Sequence, residues 1–140
     1  NSRNVIPGQV KFSIDFRHST DEAVQAMADE FLALAAQMSA QHRMAIETQL
    51  VSSFAATVFH PDCRRAVAQA AEQLGYSHMP TVSGAGHDAV YAARLAPTGM
   101  IFIPCADGIS HNEIEDASPH DVEAGANVLL HAMLSMANPA

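Results

Sequence analysis

The chain has 140 residues, 49% of them hydrophobic, 16% charged and 6% aromatic, with a formal charge of −8 from 7 Lys+Arg against 15 Asp+Glu. That length makes one ordinary domain or parts of two, and the composition is too apolar for disorder. No run approaches the ~20 apolar residues of a membrane span, no signal peptide is visible, and one lysine (Lys11) with scattered arginines cannot build the basic face that nucleic acid requires. Cys63 and Cys105 lie far apart and outside any CxxC, which reads as two reduced thiols in a cytoplasmic protein. The eight histidines are the unusual count, since histidine is the commonest metal ligand and acid–base group.

Pro7-Gly8 punctuates the start, and Val10, Phe12, Ile14 and Phe16 then alternate with Lys11, Ser13, Asp15 and Arg17. That alternation predicts a strand with one buried face. Ser19-Thr20-Asp21-Glu22 reads as a capping box from Ser19 to Glu22. Behind it Val24, Met27, Ala28, Phe31, Leu34, Ala35 and Met38 recur at helical spacing to about Gln41, a core-facing stripe. Residues 44 to 59 predict a strand and an extended return. The texture changes near residues 50 to 60, where a seam between two α/β pieces is expected.

Pro61 fits the first position of a helix carrying Val67, Ala70, Ala71 and Leu74, closed by Gly75. A turn-rich loop from Tyr76 to Gly86 leads to a short helix from about His87 to Leu95. Met100-Ile101-Phe102-Ile103 is a continuous apolar run, as in a strand covered on both faces. After a polar loop from Cys105 to Ala117, Ser118 and Pro119 cap a last helix with Val122, Ala126, Leu129, Leu130 and Met133 on its inner side.

Two loops concentrate chemistry. In Ser83-Gly84-Ala85-Gly86-His87-Asp88-Ala89 the glycines let backbone approach a ligand ahead of a helix N-terminus, although the spacing is neither a dinucleotide fingerprint nor a P-loop. A capped glycine turn is the structural alternative. Gly108-Ile109-Ser110-His111-Asn112-Glu113-Ile114-Glu115 follows the buried run, a favoured place for ligand sites in open sheets. Its histidine among carboxylates suits a metal ligand or general base, against the alternative of a surface histidine. His18, His42, His60, His78, His120 and His131 fit capping or solvated roles. A catalytic zinc usually takes three protein ligands, and no HExxH or helical histidine pair is present. His87, Asp88, His111 and Glu115 could converge only if the two loops meet; otherwise the chain supplies part of a site.

Both loops resemble late motifs of a metal-dependent amidohydrolase family. Its members include N-carbamoyl-L-amino-acid hydrolases, β-ureidopropionases and allantoate amidohydrolases, relatives of carboxypeptidase G and aminoacylase. Asn4-Val5-Ile6-Pro7-Gly8 followed by Asp15-Phe16-Arg17 is similar to a third motif, from the lid domain. The resemblance covers essentially the whole chain but only the C-terminal third or so of a member. It implies an α/β fold: residues 1–57 as the second half of an α+β, ferredoxin-like lid and dimerisation domain, and 58–140 as the last segment of a zinc-peptidase-like catalytic domain. It also implies that His111 is a metal ligand and that Asn4 and Arg17 bind substrate, with Arg17 holding the substrate's carboxylate. Arg17 offers a fork suited to that task, with Asp15 as the competing structural partner. Gly86, His87 and Ser110 match substrate-lining positions, and Glu115 an outer-shell group.

The family's remaining metal ligands, its glutamate base and the lid's oxyanion-stabilising histidine have no counterpart here. No catalytic residue is therefore assigned, and a fragment inactive alone is expected. The intact enzyme implied is a cytoplasmic homodimer, joined through the lid, that holds two divalent ions (Zn, Mn, Co or Ni). It hydrolyses the carbamoyl group of N-carbamoyl-L-amino acids or related ureido acids, with the rest of the same polypeptide as this chain's partner. Allantoate hydrolysis, aminoacylase or dipeptidase chemistry, and a non-catalytic dimerisation module are the alternatives; Gly86-His87-Asp88 favours the ureido branch.

Overall fold

The structure is a computed structural model that describes residues 3–138. The chain divides into two compact units, Asn1–Ala56 and Thr57–Ala140. The described residues form α1 (Asp21–His42), α2 (Pro61–Gln73), the short α3 (Asp88–Ala92), a 3-10 turn at Ala106–Gly108 and α4 (Pro119–Ala137). None of these helices is long and apolar enough to cross a membrane.

In the first unit, α1 begins one residue later than its capping box implies. Thr20, rather than Ser19, is the N-cap and accepts the Ala23 N–H at 3.4 Å. Asp21 and Glu22 then fall in the first turn, where carboxylates complement the helix dipole. The His18 ring accepts the Thr20 N–H, so this histidine serves the cap. Asp21 reaches forward to accept the Ala56 N–H at 2.7 Å, which ties the returning segment to the start of the helix. The apolar stripe lies where its spacing puts it, but it is only half covered. Val24, Met27, Ala28, Phe31, Ala35 and Met38 are half-buried and Leu34 is exposed. Phe16 packs on Phe31 with ring centroids 6.0 Å apart.

The expected strands do not form among the described residues. Residues 10–17, 44–59 and 100–103 have no β-ladder. Alternation decides which side chains share a face, but a strand is held by a neighbour's backbone about 4.8 Å away, and two-stranded pairing is marginal even when present. Among the described residues the segments flanking α1 share no backbone hydrogen bond, and Val10 and Phe12 are largely exposed.

The second unit is built on α2 against α4. His60 caps α2 through its ring, which accepts the Asp62 N–H, and Pro61 occupies the first turn. The helix ends in a Schellman motif. Tyr76 N–H donates to the Ala71 carbonyl and Gly75 N–H to that of Glu72, with Gly75 at φ +74° where a Cβ would be strained. Ser118 caps α4, accepting the Asp121 N–H at 3.1 Å and donating to its carboxylate at 2.6 Å. Ala66, Ala70 and Ala71 of α2 and Val128 and Ala132 of α4 are the buried core. The Tyr76 hydroxyl accepts from Asn127 Nδ2 across the pair.

The inner face of α4 differs from the expected one. Val128 and Ala132 face the core, whereas Val122, Leu129, Leu130 and Met133 are half or more exposed. This helix is apolar on more than one side, so periodicity alone does not choose a face. Close approach to the alanines of α2 selects the smaller residues, and Val122, Leu129 and Met133 line an open apolar groove with Ile101 and Ile103. Residues 99–103 lie on the two helices. A Cβ at Gly99 would come 3.0 Å from that of Cys63, and one at Gly125 only 2.6 Å from Ile103 Cγ2. Ile101 packs on the core, while Phe102 turns away from it to meet His87.

Replacing Ser118 by Ala removes both cap bonds and should lower stability by about 1 kcal/mol, seen as an earlier thermal transition by circular dichroism. Ser118→Asp, another good cap, should recover most of the loss. An unchanged transition for the alanine variant would contradict the assigned cap.

Candidate functional site

The residues singled out from the sequence are distributed over both units: Asn4 and Arg17 in the first, and Gly86, His87, Ser110 and His111 in the second. Asn4 lies exposed in the turn that precedes the first extended segment. Arg17 lies just ahead of the α1 cap. Its Nε and Nη2 both donate to Asp15 Oδ2, at 3.0 and 2.6 Å. Residues two apart on an extended chain share a face, so Asp15, the structural partner weighed from the sequence, does engage the guanidinium. The hydrogen bond to Arg17, reinforced by its charge, holds the Asp15 carboxyl below its ordinary value of 3.8, against a smaller opposing effect of desolvation. Asp15 in turn raises Arg17. Both groups are exposed and screened, so the pair orients the fork rather than anchoring the fold.

His111 stands at the tip of a loop closed by backbone bonds. Ala106 N–H donates to the Asp116 carbonyl at 2.7 Å, and Glu115 N–H to that of Asn112 at 2.9 Å. The Asn112 side chain accepts the Ile114 N–H at 3.2 Å. His111 itself is left-handed, at φ +55°, a conformation that histidine tolerates better than most residues. Its N–H donates to Glu115 Oε2 at 2.7 Å. Glu115 thus holds the backbone of His111 rather than its ring. The His111 side chain is exposed, and its ring takes part in none of these bonds. Ser110, also exposed, precedes it.

The glycine-rich loop is organised around His87. Position makes His87 the N-cap of α3, but its side chain makes no capping bond. The ring turns back instead, with Nε2 2.7 Å from Ser83 Oγ. Ser83 Oγ also accepts the Ala85 N–H at 3.2 Å, and the imidazole meets Phe102 edge to face at 5.4 Å. Gly86 borders open space, for a Cβ there would touch nothing within 4 Å. Neither Ser83 nor Phe102 was singled out as a site residue from the sequence. Serine four positions before histidine across two glycines is the local signal for the first; the second depends on a long-range contact.

Among the described residues no three His, Cys, Asp or Glu side chains come together to hold a metal ion. His87 is engaged by Ser83 and Glu115 by the His111 backbone, so the considered convergence of His87, Asp88, His111 and Glu115 does not occur. A metal centre needs about three protein ligands, so no complete ligand set is assembled among the described residues. Cys63 and Cys105 are free thiols.

The model of peptidase family M20/M25/M40 matches residues 5–135. The chain belongs to this family. It is 45% identical to the N-carbamoyl-L-amino-acid amidohydrolase of Rhizobium meliloti over 98% of this chain and 33% of that protein. It is 31% identical to the allantoate amidohydrolase of Bacillus subtilis, again over 98% of this chain and 33% of the relative. A crystal structure of a hydantoinase/carbamoylase-family amidase from Burkholderia multivorans superposes with a TM-score of 0.83 at 48% identity, covering 88% of this chain and 30% of that one. The M20 chain thus spans about a third of the length of the curated relatives it matches. No ladder forms among its described residues even so.

The Asp15–Arg17 pair has a measurable consequence. Asp15 should titrate below 3.8 by NMR, so the stability the pair contributes is present above that value and lost as pH falls through the lowered one. Arg17→Ala should return Asp15 to its ordinary range. A native Asp15 titrating at or above 3.8 would contradict the pairing.

Proposed function

We propose that this chain is the substrate-orienting part of an amidohydrolase that cleaves the carbamoyl group of N-carbamoyl-L-amino acids or related ureido acids, and that it contributes one metal ligand. The observation that carries the reading is the His111 loop, in a chain whose similar relatives include enzymes named for N-carbamoyl-amino-acid hydrolysis. Backbone bonds and the Glu115 carboxylate fix the loop, while the imidazole takes part in none of these bonds. A ring held this way suits donation to a metal whose remaining ligands come from outside this chain. No step of bond cleavage is assigned to the residues present, because they include neither a complete ligand set nor a proton-shuttling base.

Substrate orientation is where these residues act. Arg17 presents two N–H groups to a single carboxylate oxygen of Asp15. A planar fork of this kind suits the carboxylate of a ureido acid, which would take the place of Asp15. Asn4 joins Arg17 in holding substrate, and Gly86, His87 and Ser110 line the pocket on the catalytic side. Residues 1–57 fit the second half of a split β-α-β lid. In that arrangement the segments flanking the helix are not neighbours, because another strand lies between them; this accounts for their missing ladder. Residues 58–140 fit the last segment of an α/β catalytic domain in which 100–103 is a sheet strand with α2 and α4 on one face. The intact enzyme is read as a cytoplasmic homodimer joined through the lid, with two divalent ions per site. Kinship with the Bacillus subtilis allantoate amidohydrolase favours allantoate as the second substrate to consider, since it too is a ureido acid bearing a carboxylate.

The test is kinetic, on the full-length enzyme supplied with N-carbamoyl-L-amino acids, allantoate and N-acetyl amino acids. The highest kcat/KM is expected for an N-carbamoyl-L-amino acid. Arg17→Ala should raise KM for it by about tenfold or more with little change in kcat, as when an interaction equal in ground and transition states is removed. Arg17→Lys should not restore it, lacking the planar fork. Preference for N-acetyl substrates, or an unaltered KM in Arg17→Ala, would refute the assignment.

A further inference from the structure

The bond between Ser83 and His87 contributes nothing to capping, since α3 receives no side-chain cap from His87. It does determine how the imidazole is presented. Ser83 Oγ accepts the Ala85 N–H at 3.2 Å, which fixes the rotamer of the hydroxyl. A serine hydroxyl carries one proton and two lone pairs; Ala85 N–H takes one lone pair, and in one of the two ring tautomers the proton is directed to His87 Nε2, 2.7 Å away. A neutral ring that accepts at Nε2 carries its own hydrogen on Nδ1. Among the described residues Nδ1 has no partner.

A second restraint comes from Phe102, whose ring meets the imidazole at 5.4 Å and 62°. Phe102 is itself held in place, because Ile101 packs on the α2–α4 core and Ile103 lies against Gly125. Gly86, immediately before the histidine, leaves open space where any other residue would place a Cβ. The imidazole is thus restrained at one nitrogen and by one ring contact, with the other nitrogen unused beside an uncluttered stretch of backbone.

We propose that Ser83 is a positioning residue: its hydroxyl, together with the Phe102 ring, fixes the His87 imidazole so that Nδ1–H is the edge offered to an oxygen of the ureido-acid substrate. The proposal rests on the reading of His87 as a substrate-lining residue. A ring already held in its binding orientation loses less freedom when substrate arrives, so the hydroxyl acts on affinity without touching substrate.

A double-mutant cycle in the full-length enzyme, assayed on an N-carbamoyl-L-amino acid, tests it. Ser83→Ala should lower kcat/KM by about five- to tenfold, mainly through KM, the size expected for one lost hydrogen bond. Ser83→Thr keeps the hydroxyl and should restore most of the loss. In a His87→Ala background, Ser83→Ala should cost nothing more. A normal Ser83→Ala enzyme beside an impaired His87→Ala enzyme overturns the positioning role alone. So does a Ser83→Ala loss that persists undiminished in the His87→Ala background, because the hydroxyl would then act independently of the ring. A His87→Ala enzyme with unchanged kcat/KM overturns the substrate-lining reading itself.

Discussion

The close contact of α2 with α4 is the constraint on which the rest of the second unit depends. Ala66, Ala70 and Ala71 meet Val128 and Ala132, and side chains this small let the helices approach without leaving a void. That approach leaves no room above Gly125 for more than the Ile103 methyl. Ile101 and Ile103 are thereby seated on the helices, and chain alternation sends Phe102 to the opposite side, against His87. Helix packing thus reaches the chemistry in two steps, through one extended segment. The same packing starts the His111 loop, which leaves residues 99–103 and returns at the Ser118 cap of α4.

The first unit is organised differently. It has a helix with a half-covered apolar stripe and no buried side chain on α1. What fixes its chain path is polar: Asp21 on the Ala56 N–H, Thr20 and His18 at the helix start, and Asp15 on Arg17. An ion pair between exposed groups is weak. Under the proposed role of Arg17, that weakness would let a substrate carboxylate replace Asp15 at little cost. A buried pair would resist such exchange.

Helix ends are legible in the sequence because their signals are local. Pro61, Gly75, Ser118 and Pro119 set helix ends through their own backbone geometry and side-chain reach, and each lies where that chemistry requires. Thr20 displaced Ser19 as a cap because two adjacent hydroxyl residues compete and only the structure decides between them. No ladder forms among the described residues because a ladder is non-local: the alternation of Val10 to Phe16 specifies a face but supplies no partner. The inner face of α4 is not legible from periodicity because apolar residues surround much of that helix, and volume against α2 selects Val128 and Ala132. Counting donors against the three ligands of a metal site leaves two possibilities in the sequence, one compact site if the two loops meet or part of a site if they do not, and among the described residues no such group assembles. The links from Ser83 and Phe102 to His87 depended on loop closure and on a segment fifteen residues away, which composition does not reveal.

The central claim is that His111 donates to a metal centre completed by residues beyond this chain. Metal content of the intact enzyme, measured by elemental analysis before and after His111→Ala, tests it most directly. The account predicts a stoichiometric divalent ion in the unaltered enzyme and a clear reduction in the variant, with the fold retained by circular dichroism. An enzyme that hydrolyses N-carbamoyl amino acids without a stoichiometric ion, or a His111→Ala variant with full metal content, would contradict it.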